Sequence, residues 1–375
     1  MNFEEHAAKS LVLAPAGVPV PRGELASTPG EAEAACARLG PCVVKAQVPT
    51  GKRGKAGGIK LAGDPAAAAE AARAILGMTI DGHVTRRVLV EEQASIAREF
   101  YAAILIDTVA RMSLVLFSTE GGMDIEEVAE LDPEALRRRH VGVGEAFGPG
   151  EARAMLAGLD LGGAEEAVAD VLARLHAIHL AHDAELVEVN PLALLADGRV
   201  VALDAKLTLD DAAAFRLGDL PAAAAPERAT ELEARGAAQG LKFIQLDGNV
   251  GVLANGAGLT MTTMDVIAHL GGRPANFLEI GGEAYTKAEA ALDLVLSNPG
   301  VRSLVVNFCG AFARTDVMAE GVVRAWETLR PSVPVFFSIH GTGEDEAVAL
   351  VRERLGIEPY DLMEDAVAAA VEAAR

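Results

Sequence analysis

Positive charge is scarce in this chain: 33 Lys and Arg stand against 54 Asp and Glu, for a formal net charge of −21 at pH 7. Nucleic-acid binding relies on clustered cations that neutralise phosphates, so this balance argues against a nucleic-acid partner. It also makes any local concentration of Lys and Arg informative. No basic-then-apolar leader opens the chain, and the Ala-rich stretches are broken by charge before any reaches membrane-spanning length. A soluble, cytoplasmic protein with no membrane partner is expected. Cysteine is nearly missing: Cys36, Cys42 and Cys309 form an odd set without metal-ligand spacing. That suits a reducing compartment and buried thiols better than a disulfide framework. His176, His179 and His182 share a helical spacing, but no acidic ligand shares it with them, which places them on the rim of a packed helix rather than around zinc.

What is present is apolar and ample. With 375 residues, 51% of them hydrophobic, the chain exceeds what one domain usually holds, and two or three are expected. To about Arg216, short β-branched runs at 43–48, 88–92, 100–106, 114–118, 186–189 and 200–203 mix with Ala- and Glu-rich helical patterns. The second to fourth runs follow one another without a helix, which predicts an antiparallel sheet holding a ligand against a second lobe. From Leu217 to Gly240 strands give way to prolines and an acidic, Ala-rich helix, the pattern of a connection. Beyond it strands at 250–254, 276–280, 303–307 and 333–337 alternate with helices, predicting a parallel sheet covered on both faces. Ligands of such a sheet sit at the carboxyl ends of its strands, where Asn255-Gly256-Ala257-Gly258 and Cys309-Gly310-Ala311 fall.

Two constellations carry chemistry. The strand through Lys45 runs into Gly51-Lys52-Arg53-Gly54-Lys55-Ala56-Gly57-Gly58, a glycine-rich loop loaded with cations in an acidic protein. Glycines let backbone N–H groups close over phosphates while cations offset their charge. It is not a P-loop, because no Gly-Lys-Ser/Thr opens a helix after it. Taken alone it also reads as a solvated basic hairpin tip. The second constellation is Glu188-Val189-Asn190-Pro191-Leu192, followed after a turn at Asp197-Gly198 by a run ending in Asp204-Ala205-Lys206. Strand alternation lets Glu188, Asn190 and Asp204 converge, and a few hard oxygen donors leaving room for water and phosphate suit Mg²⁺. An acidic hairpin edge is the plainer reading of the same residues.

Taken in order, Lys45 with its loop, Ser118-Thr119-Glu120-Gly121-Gly122, Glu188 to Leu192, Leu246-Asp247-Gly248-Asn249-Val250-Gly251, Asn255 to Gly258 and Pro274 to Leu278 resemble the succinyl-CoA synthetase β-subunit family over nearly the whole chain. The resemblance implies an α/β protein with an N-terminal ATP-grasp fold over 1–225, a linker over 226–240 and a flavodoxin-like CoA-ligase domain over 241–375. It implies that Lys45, Lys52, Arg53 and Gly54 contact the phosphates of ATP or GTP, that Glu91, Ala94 and Glu99 line the base and ribose pocket, and that Asn190 and Asp204 bind Mg²⁺. Glu188 would receive the phosphohistidine of a partner α subunit, which also carries most of the CoA site in an αβ or α2β2 assembly. Asn255 and Ala311, Phe312 and Ala313 would bind the acid's carboxylate.

Several positions depart from the family pattern. The loop reads Pro49-Thr50-Gly51-Lys52-Arg53-Gly54-Lys55, the acid-site turn reads Cys309-Gly310-Ala311-Phe312-Ala313-Arg314, and Ser338 and His340 stand where an Arg and an acidic residue are usual. These leave malate or another acid, a subunit related to citrate activation, and a non-catalytic regulatory homologue beside the default of succinate. Joint retention of Lys45, Arg53, Glu188, Asn190 and Asp204 speaks against the last.

Overall fold

Local signals set the first elements. Thr28 caps the helix Pro29–Leu39 by accepting from the Glu31 N–H, proline occupies its first turn, and Gly40, at φ 83°, ends it. Asp64 and Pro65 start the helix Pro65–Ile75 in the same way. A computed structural model describes the chain except for residues 124, 126–129, 131–134, 227–228 and 281–285. The chain divides into two compact units, Met1–Arg228 and Ala229–Arg375, so residues 227–228 of the expected connection lie outside the described residues.

In the first unit the two capped helices lie on an antiparallel sheet of strand order Gly23–Ala26, Val88–Glu92, Cys42–Ala46, Ile59–Ala62. Their contact is built from small residues, Ala32, Ala35, Ala68 and Ala72 against Val44 and Val90, which lets helix and sheet approach closely. A second antiparallel sheet has the order Val200–Ala202, Ala184–Leu195, Ile96–Asp107, Met112–Ser118, Leu136–Val141, with Lys206–Leu209 pairing the first half of the long strand Ala184–Leu195. One face alternates Phe100, Ala102 and Ile104 into a core with Phe117, Val187 and Val189, covered by Leu172, Leu175 and Ile178 of the helix Glu165–Ala181. Each such large side chain, when fully buried, contributes roughly 1.5–3 kcal/mol. The opposite face presents Glu188 and Tyr101.

The second unit has parallel strands Val250–Ala254, Ser303–Gly310 and Val335–Gly341 side by side. Parallel bridges at Val250–Pro274 and Ala254–Glu279 bring Asn276–Leu278 beside the first of them, and Phe243–Gln245 pairs with it antiparallel. Every residue of Val250–Ala254 is buried, as a strand covered on both faces requires. Ala257–His269 and Met363–Ala373 cover one face, while Ala288–Ser297, Thr315–Leu329 and Glu344–Leu355 cover the other. Asn276 is buried and its amide exchanges hydrogen bonds with the Val252 N–H (3.1 Å) and C=O (2.8 Å), completing the ladder where the backbone does not.

Some expectations need correction. Cys36 and Cys42 are buried, but Cys309 is exposed at a strand end. His176 and His179 are not on a rim: both are buried, and His179 Nε2 lies 2.9 Å from Ser113 Oγ. The strands Gly23–Ala26, Ile59–Ala62, Leu136–Val141 and Phe243–Gln245 and the helix Met363–Ala373 were not foreseen. Among the described residues no helix is long and apolar enough to cross a membrane.

Candidate functional site

Between the two sheets of the first unit lies a cavity of about 590 Å³. Its apolar wall uses Val43, Ile59, Leu61, Ile96 and Leu203; Leu61, 68% exposed on a strand, has no core partner and faces this space. A flat apolar ring would be covered there. Lys45, Lys52, Arg53, Gly54, Glu91, Ala94, Glu188, Asn190 and Asp204 all line the same cavity. Glu99 does not: it sits beside the wall, its carboxylate against Gly122, where a Cβ would come within 2.4 Å of Oε2. Gly122, at φ 71°, is favoured by its backbone, while the Glu99 carboxylate beside it is the movable end of a side chain.

The cationic loop is not a solvated tip at Arg53, which is 4% exposed. Its guanidinium turns inward, donating to Ala46 O (3.0 Å), pairing with Glu5 Oε2 (2.8 Å) and bonding Asp204 Oδ1. Lys45 Nζ donates to Glu91 Oε1 (2.6 Å), Glu5 Oε1 (3.0 Å) and Leu203 O (2.6 Å). Lys9 Nζ reaches Glu5 Oε1 (2.6 Å), Glu91 Oε2 (2.7 Å) and again Leu203 O (2.6 Å). Burial works against the charge of Lys45, but Glu5, Glu91 and Asp204 outweigh it and hold the ammonium above its ordinary range. Burial likewise opposes ionisation of Glu5, yet Lys45, Lys9 and Arg53 keep its carboxyl well below the usual carboxylate range. Glu91 is pushed up by burial and by the Glu5 charge, against the pull of Lys9 and Lys45. Three cations and three carboxylates therefore balance, and all but Asp204, which reaches solvent, are too buried to be tolerated singly.

The strand Ala184–Leu195 carries the second constellation, with a cis peptide between Asn190 and Pro191. Asn190 Oδ1 accepts the Gly122 N–H (2.7 Å) and its Nδ2 donates to Met123 O (2.8 Å), which fixes the amide's orientation. Asp204 Oδ1 accepts the Ala205 N–H (2.7 Å) as well as the Arg53 bond. Among the described residues no group of three or more His, Cys, Asp or Glu is arranged to hold a metal. One amide and one carboxylate on a cavity sized for a nucleotide are a poor zinc site but suit Mg²⁺, which keeps waters and takes phosphate oxygens. Tyr101 Oη lies 3.4 Å from Glu188 Oε2.

In the second unit Asn255 sits just past one strand end and spans to the next: its Nδ2 donates to Cys309 O (2.9 Å) and its Oδ1 accepts from Cys309 N (2.8 Å). Ala311 and Phe312 are exposed, Phe312 completely, and Ala313 is half-buried. Thr342 ties the turn down, its Oγ1 donating to Ala311 O (2.8 Å) and its N–H to Gly310 O (2.8 Å). A side chain at Gly310 or Gly341 would strike backbone oxygen at 2.1 or 2.0 Å. His340 Nδ1 is 3.4 Å from Glu344 Oε1. Sequence reasoning missed Glu5, Lys9 and Tyr101. An i,i+4 Glu–Lys pair at the start of the chain was the available signal for the first two.

The ATP-grasp domain family matches residues 2–194 and the CoA-ligase family residues 253–371. The β subunit of a GDP-forming succinate–CoA ligase from Thermus thermophilus is 44% identical over 355 residues, covering 94% of this chain and 93% of the relative. An ADP-forming succinate–CoA ligase β subunit from Streptomyces coelicolor is 46% identical over 356 residues, covering 94% and 92%. Its counterpart from Rubrobacter xylanophilus is 44% identical over 382 residues, covering 100% and 99%. The structure of ATP citrate lyase from Methanothrix soehngenii, in complex with citrate and coenzyme A, superposes with a TM-score of 0.77 over 99% of each chain at 23% identity, a likeness of fold. With an ATP-grasp domain followed by a CoA-ligase domain, and relatives of this identity along its whole length, the chain belongs to the succinate–CoA ligase β-subunit family of acid–thiol ligases.

Proposed function

We propose that this chain is the nucleotide-binding β subunit of an ADP-forming succinate–CoA ligase. The observation that carries the proposal is the gathering of Lys45, Arg53, Glu188, Asn190 and Asp204 on one cavity of about 590 Å³. In this reading ATP places its base on the apolar wall and its phosphates by Lys45 and the Lys52–Gly54 loop. Mg²⁺ held by Asn190 and Asp204 supplies charge neutralisation at the phosphates. The cations offset charge spreading over the transferring phosphoryl group, which passes to a histidine nitrogen of the partner α subunit as ADP leaves. Glu188 accepts a hydrogen bond from that imidazole and holds its tautomer. The phosphoryl group then moves to a carboxylate oxygen of succinate, and the CoA thiol attacks the acyl carbon with departure of phosphate. Asn255 and the turn at Ala311 to Ala313 grip the acid through amide and backbone groups.

The names of the relatives include both GDP-forming and ADP-forming enzymes, and ATP is the nucleotide proposed here. An αβ or α2β2 assembly and a cytoplasmic location complete the reading, the latter supported by three free thiols. The test is the chain co-expressed with an α subunit and supplied with CoA, ATP or GTP, and a panel of acids. Succinyl-CoA, ADP and phosphate in equal amounts are expected. No acyl-CoA from any acid, with the α subunit correctly folded, refutes it.

A further inference from the structure

The first residues of the chain carry two charges that the reading above leaves without a task. Glu5 is 1% exposed, and its carboxylate meets three cations: Lys9 at 2.6 Å, Lys45 at 3.0 Å and Arg53 at 2.8 Å. Lys45 comes from the strand Cys42–Ala46, Arg53 from the loop after it, and Lys9 from the segment Ala8–Leu13. Glu91 and Asp204, the other carboxylates of the cluster, line the large cavity, so a polyphosphate and its counter-cation can exchange partners with them. Glu5 does not line that cavity; it lines a smaller adjoining one of about 110 Å³ with Arg53, Asn190 and Asp204. From that side it bonds both Lys45 and Arg53.

We propose that Glu5 is a positioning residue of the nucleotide site: a carboxylate of the N-terminal segment that holds Lys45 and Arg53 converged on the phosphates. The inference rests on the cavity being a nucleotide site. Two buried cations on one wall repel each other, and the shared anion behind them makes their common placement stable. Lys9 serves as the fourth partner, its Nζ donating to Glu5, Glu91 and Leu203 O, the same three acceptors that Lys45 uses. Without Glu5 the buried group holds one cation too many. The least costly relief is for a lysine to lose its proton or swing away, and either removes a cation from the phosphates.

The experiment is equilibrium binding of Mg·ATP and of adenosine to the full-length chain, native and Glu5→Gln, with Glu5→Asp as the conservative control. Adenosine probes only the base and ribose walls, which Glu5 does not touch. Glu5→Gln should weaken ATP roughly ten- to hundredfold, the worth of about one charged hydrogen bond to phosphate, while adenosine stays within about twofold. Its ATP affinity should also fall as pH rises from 7 to 9.5, because Lys45, still facing Glu91, Asp204, Lys9 and Arg53 and with His6 nearby, is no longer held protonated by Glu5. The native affinity should show no such fall, and Glu5→Asp should recover most of the loss. Because Glu5→Gln can itself unfold by leaving a charge unpaired, Glu5→Gln/Lys9→Gln keeps the cluster balanced while still removing the anion shared by Lys45 and Arg53, and should show a smaller loss of the same preference for ATP over adenosine. A native ATP-to-adenosine ratio in both Gln variants overturns the proposal. Unfolding of all three variants also overturns it, assigning Glu5 to folding alone. If the native chain binds adenosine and ATP equally weakly, it is the nucleotide reading that fails instead.

Discussion

At the cavity of the first unit Lys9, Lys45 and Arg53 are matched by Glu5, Glu91 and Asp204, whereas the turn of the second unit offers backbone groups, the Asn255 amide and an exposed Phe312. The first arrangement is organised by charge before any ligand arrives; its side chains are locked by one another. The second is organised by glycines at 310 and 341 and by Thr342, so its shape is fixed but its charge is not. Changes in the first should therefore alter whether phosphoryl transfer happens, and changes in the second should alter which acid is used.

The bluntest way to break this comparison is to remove the partner. The purified chain should bind Mg-nucleotide yet form no acyl-CoA, because in the proposed mechanism the phosphorylated histidine belongs to the α subunit; His340 of this chain lies against Glu344 in the second unit. Steady acyl-CoA formation by the chain alone, in a preparation free of any α subunit, would contradict this division. Next in size is Asp204→Ala. It takes a ligand from the proposed metal and also releases Arg53, so labelling of the partner histidine from γ-labelled ATP should drop by about 10²–10³ or more. Assembly should survive, since the Asp204 side chain is 31% exposed and Arg53 keeps Glu5. Labelling at the native rate would remove Asp204 from the metal.

How much of this was legible in the sequence follows the same division. Val88–Glu92 was read to the residue, because a β-branched run between Arg87 and Gln93 has one plausible extent. Leu136–Val141 was not, since Leu-Arg-Arg-Arg-His-Val shows no apolar alternation; as an edge strand it is held by pairing to Met112–Ser118. The glycine-rich loop announced its chemistry through composition, but nothing in it showed that Arg53 turns inward. That depends on Glu5 and Asp204, 48 and 151 positions away by residue number. Long-range charge pairing has no local signature. The alternating second unit was read well because parallel strands and covering helices each leave a local period, while Met363–Ala373 hid in an Ala-rich tail.

Buried neutral groups sharpen the contrast inside the first unit. His179 is held down to about 4, chiefly by burial and next by His176. The unfolded chain takes up that proton near 6.5, so the folded state binds fewer protons between these values. The contribution is fully present above about pH 6.5 and is lost as pH falls toward 4, by an amount on the order of 2 kcal/mol. Urea unfolding at pH 7.5, 6, 5 and 4.5 should show this decline, and His179→Gln, neutral throughout, should flatten it. Equal slopes in both proteins would assign the acid sensitivity elsewhere.

The smallest effect belongs to the acid turn, and it decides whether shape alone selects the substrate there. Ala311 restricts the turn's backbone more than a glycine would, and Phe312 carries a ring that projects fully from the surface. Neither supports a core, so Ala311→Gly/Phe312→Ile should fold with native stability. A pocket difference of about one methylene changes transition-state binding by only about 1–3 kcal/mol, so preference should shift without excluding any acid. The quantity to measure is kcat/KM for succinate divided by that for the best alternative dicarboxylate, in the assembled enzyme. The double variant should raise this ratio roughly three- to tenfold, while the rate of phosphoryl transfer from ATP to the partner histidine, a property of the other unit, stays at the native value. A changed transfer rate would show that the two sites are coupled through more than their shared chain. An unchanged ratio would move the choice of acid to the α subunit, leaving the turn to hold a carboxylate without reading what lies beyond it.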